Sequence, residues 1–383
     1  MSPIPNTPSM ADVAVVHPDL EVHGGAENVC MHIIEALQSE HDLTLFTLNL
    51  PDLPALNRYF RTNVSPVRIC LAGRLGPALN RRVGHRLAKF QAVLLGRQVD
   101  ECINGYDLVF STKNEFAFDT PSIQYVHSPQ FVAADPGIDR THIIQRTYDR
   151  LCHRLAGVRE ESLRSATHLA NSNWTADVLN DAYDVHAETV YPPVDTSIFP
   201  DRPWADRETG FVSIGRVGPS KRVIHNIDVV GALRERGHDI HLHIAGPTTD
   251  DKYAERVKRE AARRAFVFLE GALDRDELVD LIANHKYGLH GRPYEHFGIA
   301  VAELVAGGAI PFAPNSGGQQ EILSEDTRLL YDSTEGAIEK IDAVLSNRIS
   351  QRDLRAEHQN IASAFGRDRF IAEIQTIVRQ ELP

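Results

Sequence analysis

Apolar residues recur along the chain in two rhythms. Short, nearly continuous apolar runs bounded by glycine, proline or polar residues alternate with longer segments in which apolar positions return every three or four residues. The first pattern suits strands buried on both faces and the second suits amphipathic helices, so their alternation predicts an α/β chain with parallel sheets. "DVAVV" (12–16) reads as a first strand, and "AENVCMHIIEALQSE" (26–40) as a helix with Val29, Ile33, Ile34 and Leu37 inward. "LTLFTL" (43–48) returns as a strand and completes one βαβ unit. Further strands are predicted at 107–111, 122–127 and 168–172, with a helix over roughly 140–165. A second series starts near residue 210, with strands at 211–215, 240–246, 266–270, 287–291, 309–313 and 328–332 and helices such as 223–237 and 275–285 between them. "VYPPVDTSIFPDRPW" (190–204) separates the two series and reads as a linker. The expectation is two doubly wound domains, 1–195 and 205–366, facing across a cleft where ligands of such sheets bind.

Composition narrows the class. A chain of 383 residues is long enough for two domains with real cores. No stretch approaches the roughly 20 apolar residues that span a bilayer, and the start lacks the basic segment and long apolar run of a signal peptide. Cys30, Cys70, Cys102 and Cys152 show no metal-type spacing, which suggests reduced thiols in a cytoplasmic protein, acting as small buried hydrophobes. A net charge of -12 argues against general nucleic-acid binding.

The distribution of charge says more than its sum. From Arg58 to Val99 there is no Asp or Glu, yet basic residues recur throughout. Within it, "LNRRVGHRLAKFQAVLL" places Leu79, Val83, Leu87, Phe90 and Leu94 on one helical face and Arg82, Arg86 and Lys89 together on another. Such a helix can rest on an anionic membrane surface, or pack on its own domain with a solvated basic side; both readings stay open.

Candidate chemistry sits where predicted strands end. "HPDLEVHGGAENV" follows the first strand, and Gly24 and Gly25 permit a tight turn and close backbone approach at a helix start that favours an anion. The three-glycine dinucleotide fingerprint is absent there. "FVSIGRVGPSKRV" repeats the idea: the strand ends at Gly215, Arg216 projects from the loop, and Lys221 lies near the next helix. A forked and a point cation at the carboxyl end of a strand suit a diphosphate. In "GRPYEHFGIAVAELVAGGAIPFAPNSGGQQEIL" (291–323), two glutamates stand among glycines and apolar residues, where an unpartnered carboxylate would be costly. Glu303 lies a little over two helical turns past Glu295, so both can point into one cleft. Gly298 and Ile299 offer backbone N–H groups to phosphate oxygens, and a carboxylate can accept from a pair of vicinal hydroxyls.

This set, in this order, resembles the retaining GT-B glycosyltransferases of the family 4 or "group 1" type, over nearly the whole chain. The resemblance rests first on "EHFGIAVAE" followed by "AGGAIPFAPNSGGQQEI", then on "GRVGPSK" and "HGGAENV", with "YVHSP" and "VYPPVD" in support. It implies two Rossmann-like domains, an amino-terminal one for the acceptor and a carboxy-terminal one for a nucleotide-sugar, with the final helix (367–383) packed back on the first. By position, Arg216 and Lys221 would grip the donor diphosphate and offset leaving-group charge. Glu303 would accept from the ribose hydroxyls, and Glu295 would lie beside the transferred sugar. Gly215 and the amides of Phe297, Gly298 and Ile299 would border the donor. His127 would reach the sugar from the facing domain, and Gly25, with Gly24, would border the phosphates and acceptor. No enzymic nucleophile is assigned in this family; the leaving phosphate takes the acceptor proton on the same face, giving retention.

The site motif looks most like that of mannosyltransferases that extend lipid-linked oligosaccharides from GDP-mannose. The expected activity is therefore transfer of a hexose, mannose or glucose, from a GDP- or UDP-sugar to a glycan or polyprenyl-linked acceptor. Neither a cofactor nor a metal is expected, and the place of action is the cytoplasmic face of a membrane. Leu304 stands where relatives often carry a small residue, which leaves base and sugar preference open. A nucleotide-sugar epimerase or hydrolase of the same architecture, or a catalytically silent sugar-nucleotide binder, are the alternatives. "DRD" (274–276) mimics a metal-binding triplet of another transferase architecture, but Asp274 reads as a helix N-cap. "HLHIAG" places two histidines two apart; with no third-ligand spacing, it reads as a half-buried strand.

Overall fold

Alternate residues of the first strand, β1 (Ala11–Val16), serve two different cores. Val13 and Val15 pack with Val29, Ile33, Ile34 and Leu37 of the helix Gly25–Leu37, while Ala14 and Val16 pack with Ala92, Leu95 and Val99 of the helix Ala88–Cys102. Where helices cover both faces a strand must be apolar at every position, which is why Val13–Val16 of β1 lack a polar alternation. The computed structural model describes residues 10–21, 23–71, 88–116, 118, 120–129, 152, 160–358 and 364–382.

The chain divides into two compact units, Met1–Pro193 with Asp368–Pro383, and Val194–Arg367. In the first, β1 is joined by β2 (His41–Thr47), β3 (Arg68–Leu71), β4 (Leu108–Ser111), β5 (Ser122–Val126), β6 (Thr167–Ala170) and β7 (Ala187–Thr189). All pair in parallel in the order β3-β2-β1-β4-β5-β6-β7. The order reverses between β1 and β4, the place where ligands of open α/β sheets bind. The final helix, Arg367–Glu381, lays Phe370, Ile374, Ile377 and Val378 into the same core as Val13 and Val15, and its Gln375 donates to the carbonyl of Ala36 at 2.8 Å.

The second unit carries β8 (Glu208–Ile214), β9 (His241–Ala245), β10 (Val267–Gly271), β11 (His285–Leu289), β12 (Ile310–Pro314) and β13 (Leu330–Tyr331). They run parallel in the order β10-β9-β8-β11-β12-β13. Val212 and Ile214 pack against Ile282, Ala300 and Leu304 from the covering helices. The fold is thus the expected pair of doubly wound parallel sheets.

The strands predicted from apolar runs are present within a few residues of their expected bounds. β3, β7 and the helices Leu53–Phe60 and Asn173–Tyr183 were not anticipated from the sequence. Of the helix expected over 140–165, the described residues include helical Cys152 and the helix Glu160–Arg164. Arg82, Arg86 and the side chain of Lys89 lie outside them. In the helix Ala88–Cys102, Ala92, Leu95 and Val99 are buried, whereas Leu94 is 40% exposed and Phe90 half-buried. Cys30 and Cys152 are buried, but Cys102 is exposed, which departs from the reading of all four as core residues. Asp274 is an N-cap as expected: its carboxylate accepts from the Glu277 amide at 2.9 Å, and Glu277 accepts from the Asp274 amide at 2.9 Å. Among the described residues, no helix is long and apolar enough to cross a membrane.

Candidate active site

Three neighbouring strands of the second unit, β8, β11 and β12, release their carboxyl ends into loops that meet around Glu295. At the end of β8, Gly215 takes a φ of +128°, a conformation L side chains rarely adopt, and the chain passes through a 3-10 turn at Pro219–Lys221. The turn brings Lys221 Nζ to 2.7 Å from Glu295 Oε2. Past the end of β11, His290 Nε2 lies 3.3 Å from Glu295 Oε2, without the alignment of a hydrogen bond, and Arg292 lies 3.5 Å from Oε1. Burial raises the pKa of Glu295, but the cations beside it, Lys221 foremost and Arg292 with it, outweigh burial and hold the carboxyl well below its usual range. Burial in turn lowers the pKa of His290, so the imidazole is neutral and Lys221 is the principal cation at the carboxylate.

Backbone packing fixes the loops to one another. A Cβ on Gly291 would come within 2.9 Å of the Lys221 carbonyl, so only glycine lets the β11 loop lie on the turn carrying the lysine. Gly317, in the "NSGG" turn after β12, has φ +76° and sits on the backbone of Glu295, where a Cβ would meet its carbonyl oxygen at 2.3 Å. The Gly318 amide donates to that same carbonyl at 2.8 Å. Buried Gln319 donates to the carbonyls of Arg292 at 3.2 Å and Pro314 at 2.8 Å, binding the two loops from below.

Gly298, at φ +105°, is the N-cap of the helix Ile299–Ala306. The first amides of a helix have no intrahelical partner and present positive partial charge, so this end of the helix can receive an anion. Phe297 is buried and packs edge-on against Phe365, centroids 5.5 Å apart. Of the four charged residues predicted from sequence, the structure joins Lys221 and Glu295 directly. Arg216 is exposed on the loop after β8, and Glu303 is held by Arg275, Nη1 to Oε1 at 2.6 Å.

The first unit repeats the plan at the ends of β1, β4 and β5. Neither Gly24 nor Gly25 has a positive φ, and Gly24 is extended (φ −119°), so the glycine pair is not required by a tight turn. The helix start is instead held by Glu27, which accepts from the Gly24 amide at 3.1 Å and from Lys113 Nζ at 2.7 Å. His17 stands 3.5 Å from the same carboxylate and receives burial that lowers its pKa. Burial pushes Glu27 up, but His17 and Lys113 bring it down to about 2. Half-buried His127 has its pKa lowered to about 3 by burial, and its Nε2 faces the Thr112 carbonyl at 3.2 Å. Nε2 therefore carries the proton and donates, which leaves Nδ1 as an acceptor.

Sequence reasoning passed over His290, Arg292, Arg275, Glu27 and Lys113. One signal was available: a histidine closing the apolar run "YGLHG" at the carboxyl end of a parallel strand is where a ligand-facing group belongs.

Residues 194–361 match the family model described as glycosyl transferases group 1, and residues 23–198 match the one described as glycosyltransferase family 4. A GDP-Man:Man(3)GlcNAc(2)-PP-Dol alpha-1,2-mannosyltransferase of Dictyostelium discoideum is 26% identical over 56% of this chain and 48% of its own length, so the chain spans about half of that relative. The protein of the same description from Mus musculus is 24% identical over 89% of this chain and 80% of its own. Among solved structures, Anabaena HepE in complex with UDP and glucose superposes with a TM-score of 0.71 at 15% identity, covering 97% of this chain and 100% of that one. Sucrose-phosphate synthase from Thermosynechococcus elongatus does so with a TM-score of 0.71 at 17% identity, covering 97% and 98%. Identities that low speak for the fold alone, and the fold they speak for is GT-B. With both halves of its length matched by the paired models of one group, the chain belongs to the family 4, group 1 glycosyltransferases.

Proposed function

We propose that the protein is a retaining hexosyltransferase that moves mannose from GDP-mannose to a lipid-linked or other glycan acceptor at the cytoplasmic face of a membrane. The observation that carries this reading is the ionised Glu295 held against Lys221 beside an open helix N-terminus, at the carboxyl ends of the central strands. A nucleotide-sugar donor brings a diphosphate and a sugar, one needing cations and amides and the other a hydrogen-bond acceptor. Lys221 and Arg216 take the diphosphate, each charge-assisted contact contributing about 1.5–3 kcal/mol. The amides of Phe297, Gly298 and Ile299 and the Gly215 backbone line the phosphates and sugar. Glu303, oriented by Arg275, takes the ribose hydroxyls. In the amino-terminal unit, His127 and Gly25 are assigned to the sugar, phosphates and acceptor, with Nδ1 of His127 accepting from a sugar hydroxyl.

As the bond from the anomeric carbon to the leaving phosphate breaks, negative charge grows on that phosphate, and Lys221 and Arg216 stabilise it. The ionised Glu295 faces the positive character developing on the sugar ring. The acceptor oxygen bonds to the same face of the anomeric carbon while its proton passes to the leaving phosphate, so configuration is kept without an enzymic nucleophile. The choice of GDP-mannose over UDP-glucose follows the relatives named above. The acid-free segment 58–99 supports an anionic membrane surface as the place where a polyprenyl-linked acceptor is met.

The test is transfer from GDP-mannose, UDP-glucose and ADP-glucose to a polyprenyl-diphosphate glycan, with anomeric configuration read by NMR. Retained configuration and loss of turnover in Lys221→Ala and Glu295→Ala are expected. Inverted product removes the retaining mechanism, and full activity in both variants removes the site. Free sugar or an epimer released at full rate without acceptor replaces the transferase by the hydrolase or epimerase reading.

A further inference from the structure

At the amino ends of the same strands, far from the donor loops, the second unit gathers a different group. Glu208 opens β8, His241 and His243 stand two apart on one face of β9, and His285 opens β11. The strand order β9-β8-β11 makes these elements immediate neighbours, and register sets His285 beside Glu208 and Gly210 beside His241. Each of the four residues offers one ligand atom, and these atoms all lie within 4.8 Å of one another.

We propose that Glu208, His241, His243 and His285 form a binding site for one divalent transition-metal ion, of which zinc is the representative. Three imidazoles and one carboxylate are a donor set of borderline softness suited to Zn²⁺, Co²⁺ or Ni²⁺ in a four-coordinate site. In a tetrahedron with metal–nitrogen bonds of about 2.0–2.1 Å, ligand atoms stand about 3.3 Å apart. His241 Nε2 lies 3.1 Å from His285 Nε2 and 3.4 Å from Glu208 Oε2, and His285 Nε2 lies 3.9 Å from that oxygen. Two imidazole nitrogens that close, with a carboxylate oxygen beside them, leave the spacing of a shared ligand.

The surroundings orient these rings as metal-binding histidines are oriented. His285 donates from Nδ1 to the Leu281 carbonyl at 2.7 Å, which leaves the Nε2 lone pair for a ligand. His243 Nδ1 is 2.7 Å from the Glu270 carboxylate, the carboxylate–histidine arrangement that raises ligand basicity, and its ring stacks on Phe268 with centroids 4.8 Å apart. Gly210 supplies an independent sign of a built site. A Cβ there would fall 2.2 Å from His241 Nε2, so the absence of a side chain makes the space in which that ring lies. β8 is seven residues long, which at about 3.3 Å per residue sets the cluster roughly 20 Å from the Gly215 loop. The bound ion therefore ties three strands together at their amino ends and takes no part in the transfer chemistry.

The test uses the full, tag-free chain stripped with a chelator. Calorimetric titration with Zn²⁺ against a competing chelator is expected to give one ion per chain. Co²⁺ is expected to give the intense visible absorption of tetrahedral coordination. His241→Ala and His243→Ala should each weaken binding by at least about 100-fold, and Glu270→Gln by about 10-fold. His238→Ala, which removes a histidine bound to Asp342 at 2.6 Å outside the cluster, should leave it unchanged. Zinc should also raise the melting temperature of the unaltered chain and not that of His241→Ala, which keeps the test decisive if one variant folds poorly. No stoichiometric binding, a weak octahedral Co²⁺ spectrum, or affinity in both histidine variants unchanged from the parent chain would each overturn the proposal.

Discussion

Replacing Lys221 with methionine keeps most of the side chain's apolar stem and removes its charge. Glu295 would keep His290 at 3.3 Å and Arg292 at 3.5 Å but lose its nearest partner, the ammonium at 2.7 Å. Breaking a fully buried pair costs about 3–5 kcal/mol. Here the two side chains are 17% and 16% exposed and Arg292 retains part of the balance, so a loss of about 2 kcal/mol at pH 7 is expected. The pH dependence isolates the cause. In the parent protein the folded pKa of Glu295 is depressed, so its stabilisation is complete above the unfolded pKa and disappears as pH falls through the folded one. Without Lys221 the burial remains and the opposing charge is weaker, so the folded pKa rises and less stabilisation is present at neutral pH. The deficit of the variant should therefore be widest at pH 7 and shrink as pH is lowered through the carboxylate range. Urea unfolding followed by fluorescence reads this directly. Trp204 belongs to the same unit as the pair, and Trp174→Phe leaves it the sole tryptophan. A deficit that stays constant with pH, or no deficit, would refute an electrostatic role for the lysine.

Gly317→Ala should distort the loop bearing Glu295, because its φ is +76° and the new Cβ would meet the Glu295 carbonyl at 2.3 Å. A loss of about 1–3 kcal/mol is expected, with transfer activity falling at least tenfold. Gly105→Ala, with nothing within 4 Å, is the control; indistinguishable melting and turnover in the two would contradict the reasoning. Glu27, depressed from 4.5 to about 2, should contribute about 3 kcal/mol that is present above pH 4.5 and lost as pH falls towards 2. Glu27→Gln should flatten that acid decline when unfolding is followed by Trp174 in a Trp204→Phe background, and an unchanged slope would count against it.

The fold was legible because each central strand is buried on two faces and so carries its own apolar signature, as at 12–16 and 211–215. Edge strands need no such run: β3 and β7 are short and partly polar, and pairing with a neighbour makes them strands. Local chemistry was readable too, since the Asp274 cap needs only the amide of Glu277 three residues on. Long-range partners were not. Lys113 meets Glu27 from 86 residues away, and Arg275 meets Glu303 from 28. The histidines of β9 read as an ordinary strand because His285 and Glu208 reach them only through sheet order. Along the helix Ala88–Cys102 periodicity identified faces but not which one packs, and Leu94 is on the exposed one.

Phe370, Ile374 and Val378 close a core begun by Val13 and Val15, so the carboxy-terminal unit is spliced into the amino-terminal one rather than appended to it. Synthesis delivers those three residues only after the whole of the inserted unit. The half of the molecule translated first is therefore finished second: it waits without one wall of its interior while the inserted half, whose strands are all local to 208–331, has already left the ribosome.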